Sequence, residues 1–169
     1  MANEVETQLV DALYDELQTE RFATISTIDF ETNAPNVSAI SWLVAPTKQK
    51  IRFAVDVKSR IVENIKHTNK AVVNILANES CYSISGIAEV VQEKLEGVAL
   101  KLTLIELDIN EVRDVMFYGS KISVNPSYEK TYDPVATAKL DKQVIEAIKK
   151  LSDGLPLSDF LIHFFEDDY

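Results

Sequence analysis

Cysteine is almost missing from this sequence. Cys81 is the only one in 169 residues, which excludes an internal disulfide and any cysteine-built metal cluster. Histidine is nearly as scarce. His67 and His163 lie far apart without a metal-ligand spacing, so no metal site is expected. With only four glycines, the chain carries no Gly-x-Ser-x-Gly, Walker or dinucleotide glycine motif. No apolar run reaches the ~18 residues that a membrane-spanning helix needs, and no basic, apolar leader pattern opens the chain. A cytoplasmic protein without membrane contact is therefore expected. Positive charge is also short: 17 Lys and Arg face 27 Asp and Glu, for a net charge of −10. That balance argues against nucleic acid as a partner, because phosphate contacts need a basic face.

The residues present describe one globular domain, 46% hydrophobic and 26% charged. Charge is unevenly spread. Lys48, Lys50, Arg52, Lys58, Arg60, Lys66 and Lys70 crowd into residues 48–70 against Asp56 and Glu63 alone. This basic island is too small for a duplex but large enough for one phosphorylated ligand. The first twenty residues hold acids and no base, which reads as a solvated helix face.

Asn3 with Glu6 forms a possible capping box, and Val5, Leu9, Ala12, Leu13 and Leu17 recur at helical spacing. A helix is predicted over 4–19. From Arg21 the period changes to two, and the runs 21–28, 36–45 and 50–56 read as strands. Ser59 caps a short helix through about Thr68, with Ile61, Val62 and Ile65 as its apolar stripe. Residues 70–77 and 81–94 read as strands about a tight Asn78-Glu79 turn, with Cys81 as a packed strand residue. A further strand is predicted over 99–112, with a helix as the competing reading and a bulge where the apolar phase slips at Ile105 to Leu107 and Ile109. After the loop 123–134, Asp133 and Pro134 open a helix that carries Leu140, Val144, Ala147, Ile148 and Leu151 and stops at Gly154. Six strands, mostly neighbours in sequence and without repeated crossover helices, predict a closed antiparallel barrel with flanking helices.

Lys58, Ser59 and Arg60 stand where a helix begins. There the first backbone N–H groups lack internal partners and the helix dipole is positive. A hydroxyl and a guanidinium fork beside them could cradle a phosphate. Equally, Ser59 could be a plain cap beside two solvated cations.

The wider order of strand, turn, Ser-Arg, short helix, Asn and strand resembles the FMN-binding split-barrel superfamily that includes pyridoxamine 5′-phosphate oxidase. In that superfamily the second strand often reads Pro-x-x-Ser-x-x-x-Trp. Here the run is Pro35-Asn36-Val37-Ser38-Ala39-Ile40-Ser41-Trp42. Gly86-x-Ala88-x-Val90 looks like its fifth strand. The resemblance covers about residues 4–115 of a single domain, leaving the C-terminal helix and tail at about 133–169. It implies a six-stranded split β-barrel, a homodimer, and FMN held at the dimer interface. By position it implicates Ser38, Ala39, Ile40, Ser41, Asp56, Ser59 and Arg60 in holding the cofactor, with Lys58 as a substitute cation of the phosphate clamp and Asn64 of the short helix as further candidates. Trp42 either stacks near the isoalloxazine ring or is a half-buried strand aromatic.

The sequence departs from the family pattern in three places. Ile61 stands where the family has lysine after Ser-Arg, and Val55 where a hydroxyl residue is common. The C-terminal run "SDFLIHFFEDDY" holds one His and four acids but not the Arg that grips a substrate phosphate. A small FMN-dependent oxidoreductase or flavin reservoir that does not use pyridoxamine 5′-phosphate is the reading this supports. No side chain is an evident catalytic acid or base. The alternative is a non-catalytic member of the fold that binds haem or a deazaflavin, or a stress-associated binding protein.

Overall fold

Alternating apolar and polar residues put most of the chain after Arg21 into strands. The computed structural model describes residues 5–150. Its elements in order are β1 (Val5–Glu6), α1 (Asp11–Glu16), β2 (Ala23–Ile28), β3 (Pro35–Ile40), β4 (Leu43–Thr47), β5 (Lys50–Asp56), α2 (Arg60–His67), β6 (Lys70–Ala77), β7 (Ser80–Gln92), β8 (Leu102–Asp114) and α3 (Pro134–Lys149). Every strand pairing is antiparallel, in the order β3-β2-β6-β7-β8-β5-β4, with β1 added alongside β8. This is the mainly-β split-barrel architecture, with eight strands rather than six. The sheet is not closed, since no ladder joins β3 to β4 among the described residues.

The expected strand 36–45 is two strands. It breaks at Ser41–Trp42, because β3 pairs with β2 at one end of the sheet and β4 pairs with β5 at the other. The last residue of β3 and the first of β4 are three residues apart, a span of at most about 11 Å. A sheet whose two ends are tied that closely must curl. The tie makes a barrel without closing its hydrogen bonds.

The first helix is shorter than the predicted 4–19. Val5 and Glu6 pair instead with Arg113 and Val112, so Glu6 is in a strand and caps nothing. Residue 3, the expected cap, lies outside the described residues. The free side of β8 satisfies these backbone groups better than the first turn of an isolated helix would. The helical stripe keeps its purpose: Leu9, Leu13 and Leu17 plug the barrel, together with Ile61, Val62 and Ile65 of α2. Backbone bonds from Leu9 N–H to the Lys48 carbonyl (2.8 Å) and from Ala45 N–H to the Leu17 carbonyl (2.8 Å) fix the plug.

A second core lies outside the barrel. Val144, Ala147 and Ile148 of α3 pack on Val44, Ala54, Leu102 and Leu104. This accounts for the apolar phase of β8. Leu102 and Leu104 face α3 while Ile105 and Leu107 face the barrel interior, so both faces are covered and β8 itself runs straight through Ile105–Leu107. The β7–β8 register shifts twice: Asn110 of β8 is the extra residue opposite Ser85 and Gly86, and Val91 of β7 is the extra residue opposite Leu104 and Ile105. The tight turn at Asn78-Glu79 is as expected, with φ of 49° and 60° in the left-handed region that such hairpins use. Asp133 accepts the Val135 N–H at 3.1 Å and caps α3, whose expected stop at Gly154 lies outside the described residues. No helix among the described residues is long and apolar enough to cross a membrane.

Gly86 shows how closely β7 and β8 approach at the first shift. A Cβ there would sit 1.9 Å from the Asp108 carbonyl oxygen, a backbone atom that cannot swing aside. Gly86→Ala is expected to destabilise the fold by about 2–4 kcal/mol, as overpacking against backbone does. Urea unfolding with an unchanged midpoint would contradict it.

Candidate functional site

The link that splits the barrel also makes a polar-lined hollow. Ser38, Ala39 and Ile40 end β3, Ser41 and Trp42 cross over, and Ala54, Val55 and Asp56 end β5. Ser59 and Ile61 of the α2 start complete a hollow of about 330 Å³. That is at the lower end of small-molecule sites. Ile40, Trp42, Ala54, Val55 and Ile61 give it an apolar wall, and three serine hydroxyls with the Asp56 carboxylate give it polar points. Because β3 pairs with β2 alone among the described residues, its other edge also offers backbone donors and acceptors here. Of the expected cofactor residues, Ser38, Ala39, Ile40, Ser41, Trp42, Asp56 and Ser59 come together in this one hollow.

Lys58, Arg60 and Asn64 do not line it. Lys58 is exposed and makes no ion pair among the described residues. Its backbone N–H donates to Asp56 Oδ1 at 2.7 Å, and the Ser59 N–H donates to the Asp56 carbonyl at 2.8 Å, so Asp56 shapes the turn. Ser59 caps α2 by accepting the Ile61 N–H at 3.2 Å. Asn64 is fully buried and accepts the Phe30 N–H at 2.9 Å while donating to Thr27 Oγ1 at 3.0 Å. It fastens α2 to the β2–β3 hairpin. Arg60 turns to that same hairpin, where its Nε and Nη2 both donate to the Asp29 carboxylate.

The basic island of the sequence is mostly neutralised. Lys48 pairs with Asp11, Lys50 and Arg52 with Glu106, Arg60 with Asp29 and Lys66 with Glu93. These acids come from α1, the hairpin, β8 and the segment after β7, remote in sequence from the island. Nothing in local spacing announces them.

Trp42 is shared between the hollow and the α3 core. Its Nε1–H donates to Asp141 Oδ1 at 2.8 Å, and Asp141 also pairs with Lys130 at 3.0 Å. Lys130 pairs in turn with Glu20 at 2.7 Å, which accepts the Tyr128 hydroxyl. Burial beside Glu20 pushes the Tyr128 phenol up to about 12. Burial also opposes ionisation of Asp141, but hydrogen bonds from Trp42 and Lys130 outweigh it and hold the carboxyl below its usual 3.8. Sequence reasoning missed this network, because its members are brought together only by the docking of α3.

A family model described as pyridoxamine 5′-phosphate oxidase matches residues 9–116. The chain belongs to the pyridoxamine 5′-phosphate oxidase family. A proposed pyridoxamine 5′-phosphate oxidase from Lactobacillus delbrueckii shares its fold at a TM-score of 0.56 and 17% identity, covering 66% of this chain and 98% of the other. HupZ of Group A Streptococcus aligns at a TM-score of 0.53 and 11% identity over 69% of this chain and 99% of its own. An F420 reductase aligns at 0.53 and 13% identity over 62% and 98%. At such identities the likeness is one of fold. No curated protein sequence matches the chain. The family match ends before Tyr128, Lys130 and Asp141, so the contacts that hold Trp42 lie outside the matched segment.

Trp42 is the chain's only tryptophan and so reports on this wall directly. A carboxyl depressed on folding contributes stability that is present above its unfolded value and lost as pH falls through its folded value. Wild-type Trp42 emission is therefore expected to hold steady down to about pH 4 and change only below the usual 3.8 of Asp141. Asp141→Ala should shift the emission at neutral pH and cost roughly 1–3 kcal/mol in denaturant unfolding. Emission spectra identical to wild type at both pH values would show that Asp141 does not hold the ring.

Proposed function

We propose that this protein binds a flavin, FMN in the first instance, in the hollow at the barrel split, and serves as a small flavin-dependent oxidoreductase or flavin reservoir. One observation carries the reading. Seven of the expected cofactor residues converge on a single hollow, although they come from two separate segments of the chain, 38–42 and 56–59. The free edge of β3 suits the polar rim of an isoalloxazine ring, and Ile40, Trp42 and Ile61 suit its faces. The Ser59 hydroxyl and the Lys58 ammonium would meet the anionic end. When bound, the flavin supplies the redox chemistry, and the chain binds, orients and shields it. No residue of the hollow is placed as a catalytic acid or base, so none is assigned.

Binding of a different cofactor, a deazaflavin or haem, by a non-catalytic member of the fold is the second reading. It is favoured by Ile61, which is only 3% exposed where the family carries a lysine of its phosphate clamp. The tail on which a pyridoxamine 5′-phosphate reaction would depend lies outside the described residues. Its sequence, acidic and without Arg, supports a different substrate.

A second copy of the chain would complete the site. α3 covers the outer face of β4, β5 and β8 only. The outer face of β2, β6 and β7 carries an apolar hollow of about 370 Å³ lined by Ile28, Val72 and Ile87, with Pro35 of β3 at its side. This face suits a partner subunit.

Purified protein is expected to show flavin absorption bands, or to quench added FMN fluorescence saturably at micromolar concentration. A Soret band would favour the second reading, and protein absorption with no quenching would defeat the first. Sedimentation equilibrium is expected to give a dimer that Ile87→Lys dissociates. A wild-type monomer at micromolar concentration in the presence of FMN would remove the shared site.

A further inference from the structure

Three consecutive residues of the β2–β3 turn enclose the Arg60 guanidinium. Asp29 takes its Nε and Nη2, Glu31 lies 3.4 Å from Nη2, and the Phe30 ring lies 4.6 Å from the guanidinium carbon. The enclosure is braced by contacts of its own. Asp29 Oδ1 also accepts the N–H groups of Glu31 (3.0 Å) and Thr32 (2.9 Å), which orients the carboxylate independently of Arg60. Asn64, one helical turn beyond Arg60, fastens the same hairpin to α2 through Phe30 and Thr27. Arg60, the Thr32 and Glu31 amides and this geometry hold the Asp29 carboxyl well below the usual carboxylate range.

The charge count decides what this does to a ligand. One guanidinium faces two carboxylates, so the trio is net negative. One of the two edges of the fork that can grip a pair of phosphate oxygens, Nε with Nη2, is already filled by Asp29. A terminal phosphate dianion reaching the start of α2 would meet Lys58, which makes no ion pair among the described residues, with like charge beside it on Asp29 and Glu31.

We infer that Asp29 and Glu31 are specificity-determining residues: by sequestering Arg60 they remove most of the site's preference for a flavin that carries a terminal phosphate. The hollow then takes its flavin through the ring and accepts riboflavin nearly as well as FMN. This rests on the flavin reading above and sharpens it to a ligand class, the isoalloxazine without a required phosphate dianion.

The test is a pair of fluorescence-quenching titrations, FMN and riboflavin, at one fixed ionic strength. The proteins are wild type, Glu31→Gln, Asp29→Asn with Glu31→Gln, and that double variant with Arg60→Ala. Asn at position 29 keeps an oxygen for the turn amides, and Glu31 is 62% exposed, so the single Glu31→Gln variant guards against a folding defect. Wild type should prefer FMN over riboflavin by less than about threefold, the double variant by about tenfold or more, and Glu31→Gln by a value between them. Adding Arg60→Ala should return the preference to that of wild type. Riboflavin affinity should stay constant throughout. A strong wild-type preference for FMN would overturn the inference, as would an unmoved ratio in the double variant. In both cases flavin binding itself stands. Failure of either flavin to bind wild type or the double variant would overturn the flavin reading and this inference together.

Discussion

The two-residue link at Ser41–Trp42 is the constraint from which the rest follows. It joins strands at opposite ends of one sheet, so the sheet has to curl until those ends nearly meet. Curling creates an interior that needs filling, and Leu9, Leu13 and Leu17 from one side and Ile61, Val62 and Ile65 from the other fill it. It also leaves a seam. Where β3 and β4 diverge, backbone edge, serine hydroxyls and a tryptophan face a hollow instead of another strand. The candidate site is a consequence of how the barrel fails to close.

α3 gives the seam one rigid wall. It buries the outer face of β4, β5 and β8, and through Asp141 it holds the indole that lines the hollow. Trp42 thus couples two cores, since a shift of α3 moves the wall of the site. The residues that complete this coupling, Tyr128, Lys130 and Asp141, come from beyond the segment that matches the family. The segment beyond the family match is therefore placed where it can shape the wall of the hollow.

Electrostatics here is settled by pairing, not by composition. A basic island in an acidic chain suggests an anion site, yet most of the island is spent on ion pairs across the fold. The β2–β3 hairpin is the telling case. Its acids fold back on Arg60 because Asn64 fixes the hairpin against α2, and a cation that reads as a phosphate ligand in sequence becomes half of a local ion pair. Lys58 keeps its charge available for the opposite reason: the turn set by Asp56 leaves it exposed to solvent.

What the sequence by itself determined was everything governed by local periodicity and capping. The period-two runs became strands, Ser59 and Asp133 cap the helices they precede, and the Asn78-Glu79 turn is where its residue types put it. The order of those elements was enough to indicate the split barrel and to select seven residues of one hollow. Tertiary structure decided what local pattern cannot encode. A strand edge on β8 took Val5 and Glu6 out of the expected helix, and the choice of partners broke one apparent strand into β3 and β4. Burial of β8 on both faces slips its apolar phase at Ile105, while its bulge lies further on, at Asn110. The partners of Arg60 and Trp42 lie about thirty and a hundred residues away along the chain. Periodicity reports which face of an element is apolar, but which charges and edges meet across the molecule depends on how the sheet curls, and that is a property of the whole chain.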